Sequence, residues 1–263
     1  MSKSTQPIGI FDSGRGGLTV LAECLKKLPH ENYIYFGDLA RVPYGGREPA
    51  EILQINFEIL DFFKAQGVKA VLMACNTSSA IALDEAVKKF NFPIWGLINP
   101  VCSAAVDLTQ NQKIAVLGTQ ATINSGAYQK TLKGINPQLE VLALGCPEFV
   151  PIIENGRIEE LETKLILKKY LSQVEQFGAD ILIHGCSHFP FLENAMKMLL
   201  TQPITFLDPA VYLVRQTSKL LDLQDLLSVA GSGSVRYFCT QNTANGLEVI
   251  QNEAIFKDFL KKL

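Results

Sequence analysis

Two cysteines end matching apolar runs in this chain. Ala70-Val71-Leu72-Met73-Ala74 leads to Cys75, and Ile181-Leu182-Ile183-His184-Gly185 leads to Cys186, 111 residues further on. Each thiol is followed at once by polar residues, Asn76-Thr77-Ser78-Ser79 in one case and Ser187-His188 in the other. A lone buried cysteine is ordinarily an inert small hydrophobe. Two that face one substrate from opposite sides are equipment for taking a proton from one face of a carbon and returning one to the other. A free thiol has a pKa of about 8.5, so a helix N-terminus or a neighbouring group must help form the thiolate. One thiol must be ionised and the other protonated at any moment. His188, two residues from Cys186, is a natural proton partner.

Other polar residues sit where the same chemistry would use them. Asp12-Ser13-Gly14-Arg15-Gly16-Gly17 follows an apolar run and opens a helical one. It is not the dinucleotide fingerprint, which needs glycine where Thr19 stands, and no Gly-Lys-Ser/Thr follows to make a phosphate loop. Asp12 reads either as a helix N-cap or as a functional carboxylate; its place at a strand end beside a flexible turn favours function. Thr119 and Thr122 occupy the equivalent turn of the second half, as caps or as ligands. Val42-Pro43-Tyr44-Gly45-Gly46 is matched by Val150-Pro151 with Glu154-Asn155-Gly156 behind it, two glycine-bearing loops of the kind that carry binding groups. Cys24, Cys102, Cys146 and Cys239 lack such settings and read as structural, His184 as an interior histidine and His30 as a surface one.

These groups must be held by short apolar runs at 8–11, 33–36, 69–74, 94–98, 113–117, 139–143, 180–184 and 204–207. Helical periodicity lies between them at 17–28, 49–66, 77–90, 124–133, 158–177 and 190–200. Such alternation predicts βαβ units and an α/β fold of two similar, mainly parallel-sheet domains, pseudo-twofold related, with the site in the cleft between them. Ile8–Phe11 is echoed by Ile114–Leu117, 106 residues on, and Pro93–Leu97 by Pro203–Leu207, 110 on. In open parallel sheets the site forms past the carboxyl ends of strands, a rule that also picks out Asp38. Asn99-Pro100 and Asp208-Pro209 read as the two crossings, dividing the chain into 1–98 plus 210–263 and 99–209. Val235–Phe238 reads as one more strand, and Asn245–Leu263 as a helical finish with a basic group at Lys257, Lys261 and Lys262.

Composition adds limits. Over 263 residues, 48% hydrophobic and 19% charged content is ordinary for a globular protein. A net charge of −2 gives no support for a nucleic-acid or anionic-membrane partner. No apolar run approaches the ~18 residues of a membrane helix, and the first residues carry no export pattern, so a cytoplasmic location is expected. The six cysteines then read as free thiols, and Cys186-Ser187-His188 does not have zinc spacing.

Ile10-Phe11-Asp12-Ser13-Gly14, Gly16-Gly17-Leu18-Thr19-Val20, Pro43-Tyr44-Gly45, Ala74-Cys75-Asn76-Thr77 and Gly185-Cys186-Ser187-His188-Phe189-Pro190 together resemble the bacterial glutamate racemases of the cofactor-independent aspartate/glutamate racemase group. The resemblance spans the chain in order. It implies interconversion of L- and D-glutamate for peptidoglycan, with no cofactor and no metal, by a homodimer. By the same similarity Cys75 would act on D-glutamate with Asp12 assisting, and Cys186 on L-glutamate assisted by His188 and Glu154. Asp12, Ser13, Pro43, Tyr44, Gly45, Asn76, Thr77, Thr119, Thr122, Ser187 and His188 would hold the substrate. The chain departs from the family at Ser187, where threonine is usual, and at Arg15, where a small apolar residue is common. The seven residues before the first strand fall short of the extension that some relatives carry for activation by a cell-wall precursor, so that regulation is not expected. An aspartate racemase is the nearest alternative, and a bilobal amino-acid-binding protein, which would need neither thiol, is the alternative from another class.

Overall fold

The structure is a computed structural model and describes residues 3–244 and 246–260. Two sheets carry the chain. One holds six strands: β1 (Ile8–Asp12), β2 (Asn32–Gly37), β3 (Ala70–Met73), β4 (Ile94–Gly96), β9 (Ser234–Thr243) and β10 (Gly246–Gln251), in the order β10-β9-β2-β1-β3-β4. The other holds β5 (Lys113–Gly118), β6 (Glu140–Gly145), β7 (Ile181–Gly185) and β8 (Thr205–Leu207), in the order β6-β5-β7-β8. All pairings are parallel except β9 with β10. The core of the first sheet, β2-β1-β3-β4, has the same connectivity as the whole of the second. The repeat in the sequence is therefore a repeat of topology.

The central strands read as continuous apolar runs because both faces are covered. Along β1, Ile8 and Ile10 enter one core with Leu18, Leu21 and Leu213, while Phe11 enters the opposite core with Ile59 and Phe63. The second sheet repeats this: Ala115 and Leu117 pack with Phe149 and Leu171, and Ile114 and Val116 with Val101 and Leu132. Burying each such aliphatic side chain stabilises the fold by about 1.5–3 kcal/mol.

The helices are α1 (Leu18–Lys27), α2 (Pro49–Ala65), α3 (Asn76–Ile81), α4 (Leu83–Lys89), α5 (Ile98–Leu108), α6 (Gln120–Asn124), α7 (Ala127–Ile135), α8 (Phe149–Glu154), α9 (Leu161–Phe177), α10 (Glu193–Leu199), α11 (Pro209–Leu223) and α12 (Ala254–Leu260). Several elements have bounds other than those expected. The run 77–90 is two helices broken at Ala82, and 124–133 is interrupted at Gly126, whose φ of +68° ends α6 and admits α7. Asn99-Pro100 lies in the first turn of α5, where proline's missing N–H costs no helical hydrogen bond. Asp208 caps α11, accepting from the Ala210 N–H at 2.9 Å. The tail is not helical throughout: β10 intervenes before α12, and Lys261 and Lys262 lie outside the described residues. Cys102 is buried within α5. Among the described residues no helix is long and apolar enough to cross a membrane.

Candidate active site

Each sheet has one place where the chain first adds a strand on one side and then on the other. These places lie between β1 and β3 and between β5 and β7. The carboxyl ends of the strands part there and leave a crevice. The register sets Phe11 beside Met73 and Gly118 beside Gly185. Asp12 and Ser13 thus stand near Cys75, and Thr119 near Cys186.

Cys75 is the N-cap of α3 and is 4% exposed. Its Sγ lies 3.8 Å from Ser13 Oγ. Burial, reinforced by the charge of Asp12, pushes this thiol up to about 12; hydrogen bonds from Ser78 and the Ser13 main chain oppose the shift. Asp12 is fully buried. Its Oδ2 accepts from the Gly14 N–H at 2.9 Å and its Oδ1 from the Ser187 hydroxyl at 3.1 Å. Burial raises the Asp12 carboxyl, and the charge of His188 offsets part of this. Asp12 is not the cap of α1; Gly17 holds that position.

Cys186 follows β7 directly and is 5% exposed. His188 Nδ1 lies 4.0 Å from its sulfur, and His188 Nε2 lies 2.7 Å from Glu154 Oε1. With Nε2–H donating to the carboxylate, Nδ1 is the ring nitrogen that faces the sulfur and can exchange a proton with it. Burial works against a charged His188. Hydrogen bonds to Cys186 and Glu154, with the charges of Cys186 and Asp12, outweigh it and push the imidazole from 6.5 up to about 10.

The two thiols line one narrow cavity with about 20 Å³ of free space. Ser13, Pro43, Tyr44, Gly45, Cys75, Asn76 and Thr77 line it from the six-stranded side, and Thr119, Cys186, Ser187 and His188 from the other, with Val42 and Val150 between them. Three anticipated residues do not line it. Asp12 holds Ser187, Glu154 holds His188, and Thr122 bonds Thr77 at 3.1 Å and Thr119 at 2.9 Å. The Tyr44 hydroxyl donates to Asp38 at 2.5 Å, so it is held away from a role as a free ligand. Asp38 in turn accepts from Thr240 and Arg41, which anchors the loop bearing Pro43 and Gly45.

The halves meet closely enough to exclude side chains at two points. A Cβ on Gly16 would collide with the His188 ring and the Ser187 hydroxyl, and one on Gly45 would stand 2.9 Å from Thr119 Cβ. Hydroxyls also meet there, with Thr77 Oγ1 3.0 Å from Thr119 Oγ1. Asn76 shows what the cavity offers a ligand. Its Oδ1 accepts from the Tyr128 hydroxyl at 2.6 Å, while its Nδ2 is buried without a hydrogen-bond partner. A buried unpaired donor beside a cavity is a place for an anion. Tyr128 was invisible in the sequence, one apolar-face residue of a helical run. Among the described residues no three His, Cys, Asp or Glu side chains group to hold a metal ion, and all six cysteines are free.

Residues 16–217 match the model of the Asp/Glu/hydantoin racemase family. The chain belongs to that family. It is 47% identical to a glutamate racemase of Picosynechococcus over 222 residues, covering 84% of this chain and 79% of that protein. Its fold superposes on a Bacillus anthracis glutamate racemase with a TM-score of 0.90 at 31% identity, covering 98% and 94% of the two chains. A Francisella tularensis glutamate racemase, solved with D-glutamate, gives 0.88 at 33% identity, with the same coverage. Cys75 and Cys186 both line the cavity, one from each sheet.

Proposed function

We propose that the chain is a glutamate racemase that interconverts the L- and D-enantiomers by two-thiol proton transfer, without a cofactor. The observation that carries this reading is the pair of buried thiols, one from each sheet, lining a single cavity. Cys75 takes the α-proton of D-glutamate and Cys186 that of L-glutamate. The charge that develops on the α-carboxylate falls to Asn76 Nδ2 and to the hydroxyls of Ser13, Thr77 and Thr119. Preorganised donors of this kind lower the barrier because they do not reorient as charge builds. Asp12 assists on the Cys75 side, and His188 with Glu154 on the other. The opposite thiol then returns a proton to the other face.

The substrate reading draws on the relatives, which are glutamate racemases, one of them bound to D-glutamate. The product serves peptidoglycan synthesis in the cytoplasm, and the working form is a homodimer. We also read the chain as two domains, 1–98 with 210–263 and 99–209; the packing of α11 on the first sheet and α5 on the second supports this.

Purified, chelator-treated protein in deuterated water should erase the α-proton NMR signal of L-glutamate and yield both enantiomers. It should leave L-aspartate intact. Persistence of the glutamate signal, or exchange only after adding pyridoxal phosphate or a metal, would overturn the reading.

A further inference from the structure

Arg15 lies in the turn after β1, and the chemistry above leaves it without a task. Its Nη1 is 3.6 Å from Glu154 Oε2. The other oxygen of that carboxylate is the one 2.7 Å from His188 Nε2, and His188 Nδ1 is the atom facing Cys186. A continuous set of contacts thus runs from the first sheet's turn to the second sheet's thiol. Arg15 Nε is buried with no hydrogen-bond partner, and the side chain is only 38% exposed, so the guanidinium is not simply solvated. The turn itself is fixed: the Leu18 N–H donates to the Arg15 carbonyl at 3.0 Å, and Gly16 packs against His188. Glu154 is less constrained by its own backbone, being the last residue of the six-residue helix α8, with Gly156 at a φ of +69° just beyond.

A partly exposed ion pair adds little to stability. Orientation is what it can supply, since a small misplacement of a catalytic group costs much in rate. We propose that Arg15 is a positioning residue for the Cys186 half of the reaction: by anchoring one oxygen of Glu154 it keeps the other on His188, and so keeps Nδ1 turned to the thiol. Among the described residues nothing equivalent stands near Cys75, whose neighbours include Ser13, Asp12 and Ser78. The effect is therefore one-sided. This rests on the two-thiol reading given above.

Glutamate cannot reveal a one-sided effect through kcat/KM, because enantiomers have equal free energies and both directions must fall together. The two enantiomers of β-chloroglutamate can. The thiolate removes the α-proton, the electron pair forms the Cα=Cβ bond, and chloride leaves from Cβ. Water then hydrolyses the enamine to 2-oxoglutarate and ammonium. No proton is returned by the opposite thiol, so each enantiomer reports on one cysteine. Arg15→Met should lower kcat/KM for the L-analogue about ten-fold and leave the D-analogue within about two-fold. Arg15→Lys should restore most of the L-rate. In a Glu154→Gln background, Arg15→Met should add nothing further, since both changes cut the same chain of contacts. The unchanged D-rate doubles as proof of folding. Equal losses on both enantiomers, or none on either, would overturn the assignment. A parent protein that leaves both analogues intact would instead bring down the two-thiol reading, and the role of Arg15 with it.

Discussion

The two thiols occupy equivalent points of equivalent sheets, yet their surroundings differ in kind. Cys75 sits at a helix N-terminus among hydroxyls and the Asp12 carboxyl, and burial holds its proton on. Cys186 faces an imidazole backed by a carboxylate, and that imidazole is held in its charged form. Topology fixes where the thiols stand, and their neighbours set the two faces apart: hydroxyls and a carboxyl around Cys75, an imidazole backed by a carboxylate beside Cys186.

The largest expected effects test whether the faces are separate. Cys75→Ser and Cys186→Ser should each reduce glutamate racemisation by about a thousand-fold or more, the range for loss of an acid–base group. On the chlorinated analogue, Cys186→Ser should still eliminate from the D-form alone and Cys75→Ser from the L-form alone. If both variants consume the same enantiomer, the comparison between faces is void.

His188→Asn should cost about a hundred-fold on the L-analogue and little on the D-form. It should also change how stability follows pH. A histidine raised from 6.5 to about 10 in the fold stabilises it fully below pH 6.5, and that contribution is lost as pH climbs through 10. Cys75, raised from 9.0 to about 12, acts in the same direction: above pH 9 the unfolded chain ionises there while the folded one does not. Urea midpoints should therefore fall between pH 8 and pH 11, and the fall should be shallower in His188→Asn. An equally steep fall would show that His188 is not held charged.

The smallest effect concerns the Cys75 face. Because the charge of Asp12 raises that thiol, Asp12→Asn in a Cys186→Ser background should move Cys75 alkylation to lower pH. D-analogue turnover should drop in the same variant. Alkylation that shifts upward would mean that Asp12 supports the thiolate instead.

Much of this was legible in the residues. The strands with both faces buried stand out as runs of Ile, Val and Leu, and both cysteines, Asp12 and the glycine turn follow from where such runs end. β10 was misread as helix because it is an edge strand with nearly every residue exposed, so no face of Leu247–Gln251 carries a burial pattern. The breaks at Ala82 and Gly126 fall inside good helical periodicity. Partnerships across the seam, such as Asn76 with Tyr128 or Arg15 with Glu154, join residues that no local spacing connects. They exist only once two sheets are brought face to face.

The strand order carries a consequence for how the molecule is made. β9 lies between β2 and β10, yet it is the ninth strand to be synthesised. Until residues 234–243 leave the ribosome, β2 is an open edge with its hydrogen-bonding groups unpaired on one side. The four-stranded sheet is complete in the chain by residue 207, well before that edge is closed. A nascent chain thus holds one finished layer and one unfinished one, joined and waiting. That interval is when it is most open to strand pairing with another copy, and most dependent on a chaperone.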